Sequence, residues 1–352
     1  MNRIIWLDAS RGLAIILLVV MHYVGALESR SFISKDTLDV LYGLLRIATP
    51  FFMFTFGLAF YITASKKIER IGLANYYINN VIKRMFYIFL GREIIVLILS
   101  FQYPEMVENL WSILLFQEFS KGGEILIFYF FAFLIAPLNV VFLQKAKAYT
   151  YITFWLIVYA TAFYIGSNYV DRDSNNVLRF LFYDIYAFFP FLIVVATAML
   201  VAKFFVASQH RKRFLSVGLT LGIIFCAGGF LLLHTLTNDI WLALADAEFK
   251  MPPHPGYMFF YLGEVFIVIS VVALTIKNLP TFINNIFSLL GRNTLVSYVT
   301  HYLFFAAVPL AALLGGGPLY EALFFITIIT LTFLGIRKWD AHKTMKKTDI
   351  KV

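Results

Sequence analysis

Long apolar runs dominate the chain, and short polar stretches punctuate them. A helix needs about 20 mostly apolar residues to cross the hydrocarbon layer of a bilayer. Ten runs qualify, at 5–27, 40–64, 84–101, 124–143, 149–168, 180–206, 214–236, 257–276, 291–313 and 319–336. The expected fold class is an all-α integral membrane protein of about ten transmembrane helices. Amphipathic stretches at 75–84 and 279–290 precede the third and ninth runs and are expected to lie along the inner surface. Residues 110–119 are apolar but too few to cross, which suits an interfacial or re-entrant piece.

The polar stretches orient the spans, because Lys and Arg accumulate in cytoplasmic loops. With the N-terminus inside, inner loops and termini hold 16 basic residues, outer loops hold 6, and the other 7 lie within spans or interfacial segments. Both termini are therefore expected in the cytoplasm. Residues 1–340 read as one polytopic membrane domain and 341–352 as a basic cytoplasmic tail. The first run carries Asp8 and Arg11 at its start and continues into a helical-hairpin pattern, so it reads as retained rather than cleaved. A bacterial inner membrane is the expected location, from the compact chain without a targeting signal.

Composition closes off other classes. The chain is 61% apolar and 14% charged, whereas soluble domains are about half apolar and about a quarter charged. The formal charge of +9 would suggest nucleic acid in a soluble protein, but here the cations follow the topology. The bilayer, not nucleic acid, is the expected partner. Cys226, the one cysteine, lies in an apolar run. It has no intrachain disulfide partner and no zinc-ligand spacing, so no metal is expected.

Charges at membrane depth are costly and usually face a bundle interior or a wet cavity. Here they sort into two layers. An inner layer holds Asp8 and Arg11, Lys83 and Arg84, and Arg292 with Asn293. An outer layer holds His22, Arg46, Asp184 and Glu264, and Arg92, Glu93 and His301 lie between. The first span is the most informative. At 3.6 residues per turn, the interval from Arg11 to His22 is about three turns, which puts both on one stripe about 16 Å apart. Asp8 shares the stripe and can pair with Arg11. One helix face thus carries a cation near the cytoplasm and a titratable base near the outside.

This pattern resembles the membrane acyltransferase superfamily, which contains acyltransferase family 3 and the heparan-alpha-glucosaminide N-acetyltransferase-like proteins. The family 3 signature is an Arg, ten residues, then a His on the first span, in a Leu-Asp-x-x-Arg-Gly-x-Ala context. Asp8, Arg11, Gly12, Ala14 and His22 match it. The second-span segment from Pro50 to Gly57 and the Lys83-Arg84 pair also resemble this pattern. Pro252-Pro253-His254-Pro255, and Leu290 to Leu295 with His301, resemble the glucosaminide branch.

The resemblance implies transfer of an acetyl or other short acyl group from cytoplasmic acyl-CoA to a hydroxyl or amine of a cell-envelope glycan or glycolipid. Arg11, Lys83, Arg84 and Arg292 would then receive the CoA phosphates, and His22 would be the base, with Arg11 and Asp8 on its stripe. Asp184 and Glu264 would hold sugar hydroxyls. Arg46 or Asn293 would stabilise the oxyanion, and His301 joins the acceptor-binding set.

Two other classes fit the same charges. One is a proton-coupled transporter or flippase of an anionic or glycan substrate; no inverted repeat is evident, and Gly228-Gly229 in the seventh run is the weak sign of a broken helix. The other is a structural partner in an envelope complex. Binding or turnover of acyl-CoA separates the first reading from the carrier.

Overall fold

The computed structural model describes residues 4–27, 34–101, 103, 105–108, 110–114, 123–207, 211–313 and 318–349, and among these the chain is all-helical. The loop cations Arg3, Arg30, Lys121 and Lys351 lie outside the described residues, as do 115–119 of the short apolar segment and 350–352 of the tail.

In chain order the helices begin with α1 (Ile5–Leu27), α2 (Lys35–Leu45), α3 (Ala48–Ile71) and α4 (Leu73–Tyr76). A π-turn then leads into α5 (Ile82–Ser100), followed by α6 (Glu105–Glu108), α7 (Leu110–Leu114), α8 (Glu124–Lys145) and α9 (Ala148–Tyr169). Next come α10 (Asn176–Phe182), α11 (Phe188–Ala207), α12 (Arg211–His234), α13 (Ile240–Ala245) and α14 (Pro255–Thr275). Last are α15 (Thr281–Arg292), α16 (Thr294–Leu313) and α17 (Pro318–Asp349).

Among the described residues, seven helical stretches are long and apolar enough to cross a membrane: α1, the α2–α3 run, α8, α9, α11, α12 and α14. The helix α5 carries Lys83, Arg84, Arg92 and Glu93 within its 19 residues, which lowers its apolar character.

Two expected spans differ in detail, and a third shows no break. The second is interrupted at Arg46–Ile47, where α2 ends and α3 begins. As one straight helix, residues 35–71 would reach about 55 Å, far beyond a hydrocarbon layer of ~30 Å. The sixth starts later than its apolar run, because α10 ends at Phe182 and α11 begins only at Phe188. Asp184 therefore lies in the intervening turn and not within a span. The seventh, α12, runs unbroken through Gly228 and Gly229.

The chain divides into two compact units. The larger comprises Ile16–Met85 and Phe128–Leu279. In it, α3 packs along α11, α9 along α11, α13 on α2, and α12 along α14. Small residues set the closest of these approaches, as is usual where helices meet in lipid. A Cβ on Gly229 would strike the backbone of Phe260, and one on Gly222 would lie 2.8 Å from the Gly263 carbonyl oxygen. One on Gly57 would meet Ala198 Cβ at 2.7 Å. A polar tie adds to the packing, with Trp155 Nε1 donating to Asn139 Oδ1 at 3.0 Å between buried faces of α9 and α8.

The smaller unit comprises Met1–Ile15, Phe86–Ile127 and Pro280–Val352. Here α1 meets α15 backbone to backbone. A Cβ on Gly12 would strike the Phe287 carbonyl, and one on Gly291 would strike that of Asp8. The helix α17 packs against both α15 and α16.

Candidate functional site

In the smaller unit, the Gly12–Phe287 and Gly291–Asp8 approaches bring the Asp8–Arg11 turn of α1 against the end of α15 that carries Arg292. Asn293 breaks the helix between α15 and α16 with φ −112° and ψ 37°. Its side-chain amide donates to Asp340 Oδ1 at 3.0 Å. Arg292 Nη2 pairs with the other oxygen of Asp340 at 3.3 Å. Asp340 of α17 thus fixes two expected site residues, a role that periodicity along α17 does not signal.

Arg92 is only 1% exposed, and its guanidinium is used structurally. It pairs with Glu93 at 2.7 Å and donates to the Ile113 carbonyl at 2.7 Å, anchoring the short helix α7. His301 is also buried, with Nδ1 against the Tyr298 carbonyl and its ring 4.3 Å from that of Tyr302.

In the larger unit, the outer-layer residues converge in part. His22 on α1 is acted on by the charges of Lys250 and Arg46. Arg46 caps the end of α2 and donates through Nε, at 3.0 Å, and through Nη2 to the carbonyl of Ala245, the last residue of α13. Its guanidinium lies 4.8 Å above the Tyr42 ring. Tyr261 ties the same corner, donating its hydroxyl to the Gly43 carbonyl at 2.6 Å.

Lys250 is one of the six basic residues of the expected outer loops, between the seventh and eighth apolar runs. The structure buries it to 3% exposure, with Nζ 4.4 Å from the centre of the Tyr186 ring. The loop that delivers it is closely tied. Lys250 bridges to Pro253, His254 N–H donates to the Phe249 carbonyl at 2.9 Å, and Tyr159 donates to the Pro253 carbonyl at 2.8 Å. His254 caps α14 by accepting from Gly256 N–H at 3.1 Å, and burial lowers its pKa from the usual value. The Pro252–Pro255 segment singled out in the sequence therefore positions Lys250.

Glu264 and Tyr257, both on α14, extend the cluster. The charges of Arg46 and Glu264 both act on Tyr257 and on Tyr261. The Tyr257 hydroxyl and Glu264 Oε2 are buried without a hydrogen-bond partner among the described residues. Tyr257 escaped the sequence reading, because a tyrosine in an apolar run carries no distinguishing signal.

Asp184 pairs with Arg179 at 2.8 Å in the turn before α11. Lys83 and Arg84 are exposed at the start of α5, and Arg84 lies 5.8 Å from the centre of the Phe133 ring. Among the described residues, no three His, Cys, Asp or Glu side chains come together to hold a metal ion.

The family model of the acyltransferase domain, acyltransferase family 3, matches residues 4–337. The chain belongs to acyltransferase family 3. No curated protein and no solved structure matches it. Membership makes the chain a membrane acyltransferase and an integral membrane protein, and favours group transfer over the carrier reading. In this family 3 acyltransferase the Asp8, Arg11 and His22 pattern stands on one uninterrupted helix, α1.

Proposed function

We propose that this acyltransferase moves an acetyl or other short acyl group from cytoplasmic acyl-CoA to a hydroxyl or amine of a cell-envelope glycan or glycolipid, with His22 as base. The observation that carries the proposal is the Asp8, Arg11 and His22 pattern on one helix in a member of this family, and Arg46 and Lys250 are near enough for their charges to act on His22. An imidazole titrates near pH ~6.5, so it serves as a base at neutral pH.

In the proposed step, His22 takes the proton of the acceptor O–H or N–H as that oxygen or nitrogen attacks the thioester carbon. The carbon–sulfur bond then breaks, and the proton passes to the departing coenzyme thiolate. The oxyanion formed in between needs donors already in place. Lys250 takes that part together with Arg46, which the Ala245 carbonyl holds in place. Asn293, the other oxyanion candidate, donates its side-chain amide to Asp340.

At the donor end, Arg11, Arg292, Lys83 and Arg84 supply charge for the CoA phosphates, the guanidinium groups offering forked donors that ammonium lacks. The acceptor meets Glu264 and Tyr257, whose free polar atoms suit sugar hydroxyls. The proposal includes ten crossings in a bacterial inner membrane with both ends cytoplasmic, residues 1–340 as the membrane domain and 341–352 as a basic tail. The bias of Lys and Arg supports that orientation.

The test is acyl transfer by purified protein in lipid nanodiscs. Removing a general base costs about 10²–10⁴-fold in rate. His22→Gln is expected to show that loss while keeping acyl-CoA affinity and thermal stability. Arg11→Ala is expected to weaken acyl-CoA binding, with Arg11→Lys restoring part of it. Near-wild-type transfer by His22→Gln overturns the assignment of His22, and equal affinity in Arg11→Ala reduces that arginine to a topology anchor.

A further inference from the structure

Along the middle of α14, within the larger unit, runs an open cavity of about 620 Å³. Its volume lies in the ~300–1,000 Å³ range of ligand pockets. Leu17 of α1, Leu45 and Ile47 around the α2–α3 break, Phe230 of α12 and Trp241 of α13 are among its walls. The lining is apolar but for Cys226 and Glu264, and Glu264 Oε2 has no hydrogen-bond partner among the described residues. Residues of α12 and α14, two helices apolar enough to cross a bilayer, thus form part of its wall. Exposed Leu221, Ile224 and Leu231 continue the apolar surface of α12 outside it.

We infer that this groove holds the hydrocarbon chain of a lipid-borne acceptor, whose hydroxyl-bearing head is engaged by Glu264. The inference rests on the acyl-transfer reading and narrows its acceptor to the lipid-anchored kind. Three observations select this occupant. A groove walled by apolar side chains of helices apolar enough to cross a bilayer suits a hydrocarbon chain. A lone carboxyl oxygen on an apolar wall calls for a neutral donor such as a hydroxyl, and a bare acyl chain has none. The groove is also continuous with the proposed chemistry, since Leu45 and Ile47 flank Arg46, whose charge reaches His22. A glycolipid seated there with its chain against Trp241 and its first sugar at Glu264 directs the next sugar hydroxyl toward Arg46.

The experiment uses full-length protein in nanodiscs with Trp6, Trp111, Trp155 and Trp339 changed to Phe, leaving Trp241 as the reporter. The probe is an octadecyl glucoside brominated at mid-chain, which quenches tryptophan at close range. Saturable quenching is expected at a low mole fraction of probe in lipid. Ala227→Leu, which narrows the groove, is expected to raise the half-saturating fraction at least tenfold. Glu264→Leu is expected to raise it about fivefold for the glucoside and to leave brominated octadecane unaffected. Quenching that grows linearly with mole fraction marks an ordinary lipid-facing surface and overturns the inference. So does an absence of quenching together with a dimer that Ala227→Arg dissociates, which marks a second copy as the occupant. Acyl transfer to unbrominated octadecyl glucoside, assayed in parallel, separates the two claims. Its persistence without saturable quenching sinks the groove alone, and its absence with quenching intact sinks the acyl-transfer reading.

Discussion

Arg46 donates to the carbonyl of Ala245, 199 residues further along the chain, through both Nε and Nη2. The contact joins the end of α2 to the end of α13. It places a cation where the C-terminal carbonyls of a helix carry partial negative charge. The residue expected to face substrate is thus half committed to structure, and the remaining guanidinium donors are steadied by that commitment.

Arg46→Ala is therefore expected to lower stability as well as activity. Hydrogen bonds to charged groups contribute about 1.5–3 kcal/mol, and a loss of that order should appear in thermal unfolding of purified protein. Arg46→Lys keeps the charge but not the fork, so an intermediate midpoint is expected. An unchanged midpoint in Arg46→Ala would show that the α2–α13 corner holds without it.

His254 gives a pH prediction. Its imidazole caps α14 only while Nδ1 is unprotonated, and burial lowers its pKa. The unfolded chain takes up this proton near pH ~6.5, while the folded chain resists until lower pH. The contribution to stability is full above about pH 6.5 and is lost as pH falls through the folded value. Thermal midpoints between pH 8 and 5 are expected to fall more steeply in wild type than in His254→Asn, whose side chain accepts the same hydrogen bond without titrating. Parallel curves would remove His254 as the cause.

Gly291→Ala tests the meeting of α1 and α15. The added methyl would strike the Asp8 carbonyl, and overpacking of this kind costs about 1–3 kcal/mol. Gly335→Ala, where a Cβ meets nothing within 4 Å, is the matched control and should be neutral or slightly stabilising. A lowered thermal midpoint confined to Gly291→Ala is the expected result, together with weaker acyl-CoA binding through displaced Arg11 and Arg292.

The proposed topology is checked by reporter fusions. A fusion after Lys145 is expected to report cytoplasm and one after Asp246 the outside. A Lys145 fusion reporting the outside would remove a crossing before α9 and overturn the proposed geometry.

Much of the helix layout was legible because apolar runs translate directly into helices, and the Arg292–Asn293 junction stands where the amphipathic stretch gives way to an apolar one. The breaks were less visible because hydropathy continues across them. Both had a local signal nonetheless. Pro50 is the third residue of α3 and Pro190 the third of α11, and a proline in a first turn costs nothing because its missing N–H would have had no intrahelical partner. Those prolines mark helix starts that place Arg46 and Asp184 at helix ends. Lys250 was not legible: its burial depends on the Tyr159–Pro253 tie, which joins residues 94 apart in the chain. Charge counting assigns such a lysine to topology, and only tertiary structure assigns it to His22.

The glycines of α12 and α14 recur at an interval of seven, Gly222 and Gly229 on one helix, Gly256 and Gly263 on the other. Because main chain meets main chain along this seam, no rotamer exists whose change could loosen it. At Gly222 and Gly229 the distance between the two helices is thus set by backbone atoms. Substitution on the outward side of α12 costs little, whereas one methyl group at either glycine forces the helices apart. A library randomised over α12 should thus return broad freedom at Ile223 and Ile224 and near-invariance at Gly222 and Gly229, a repeating sensitivity written by backbone proximity alone.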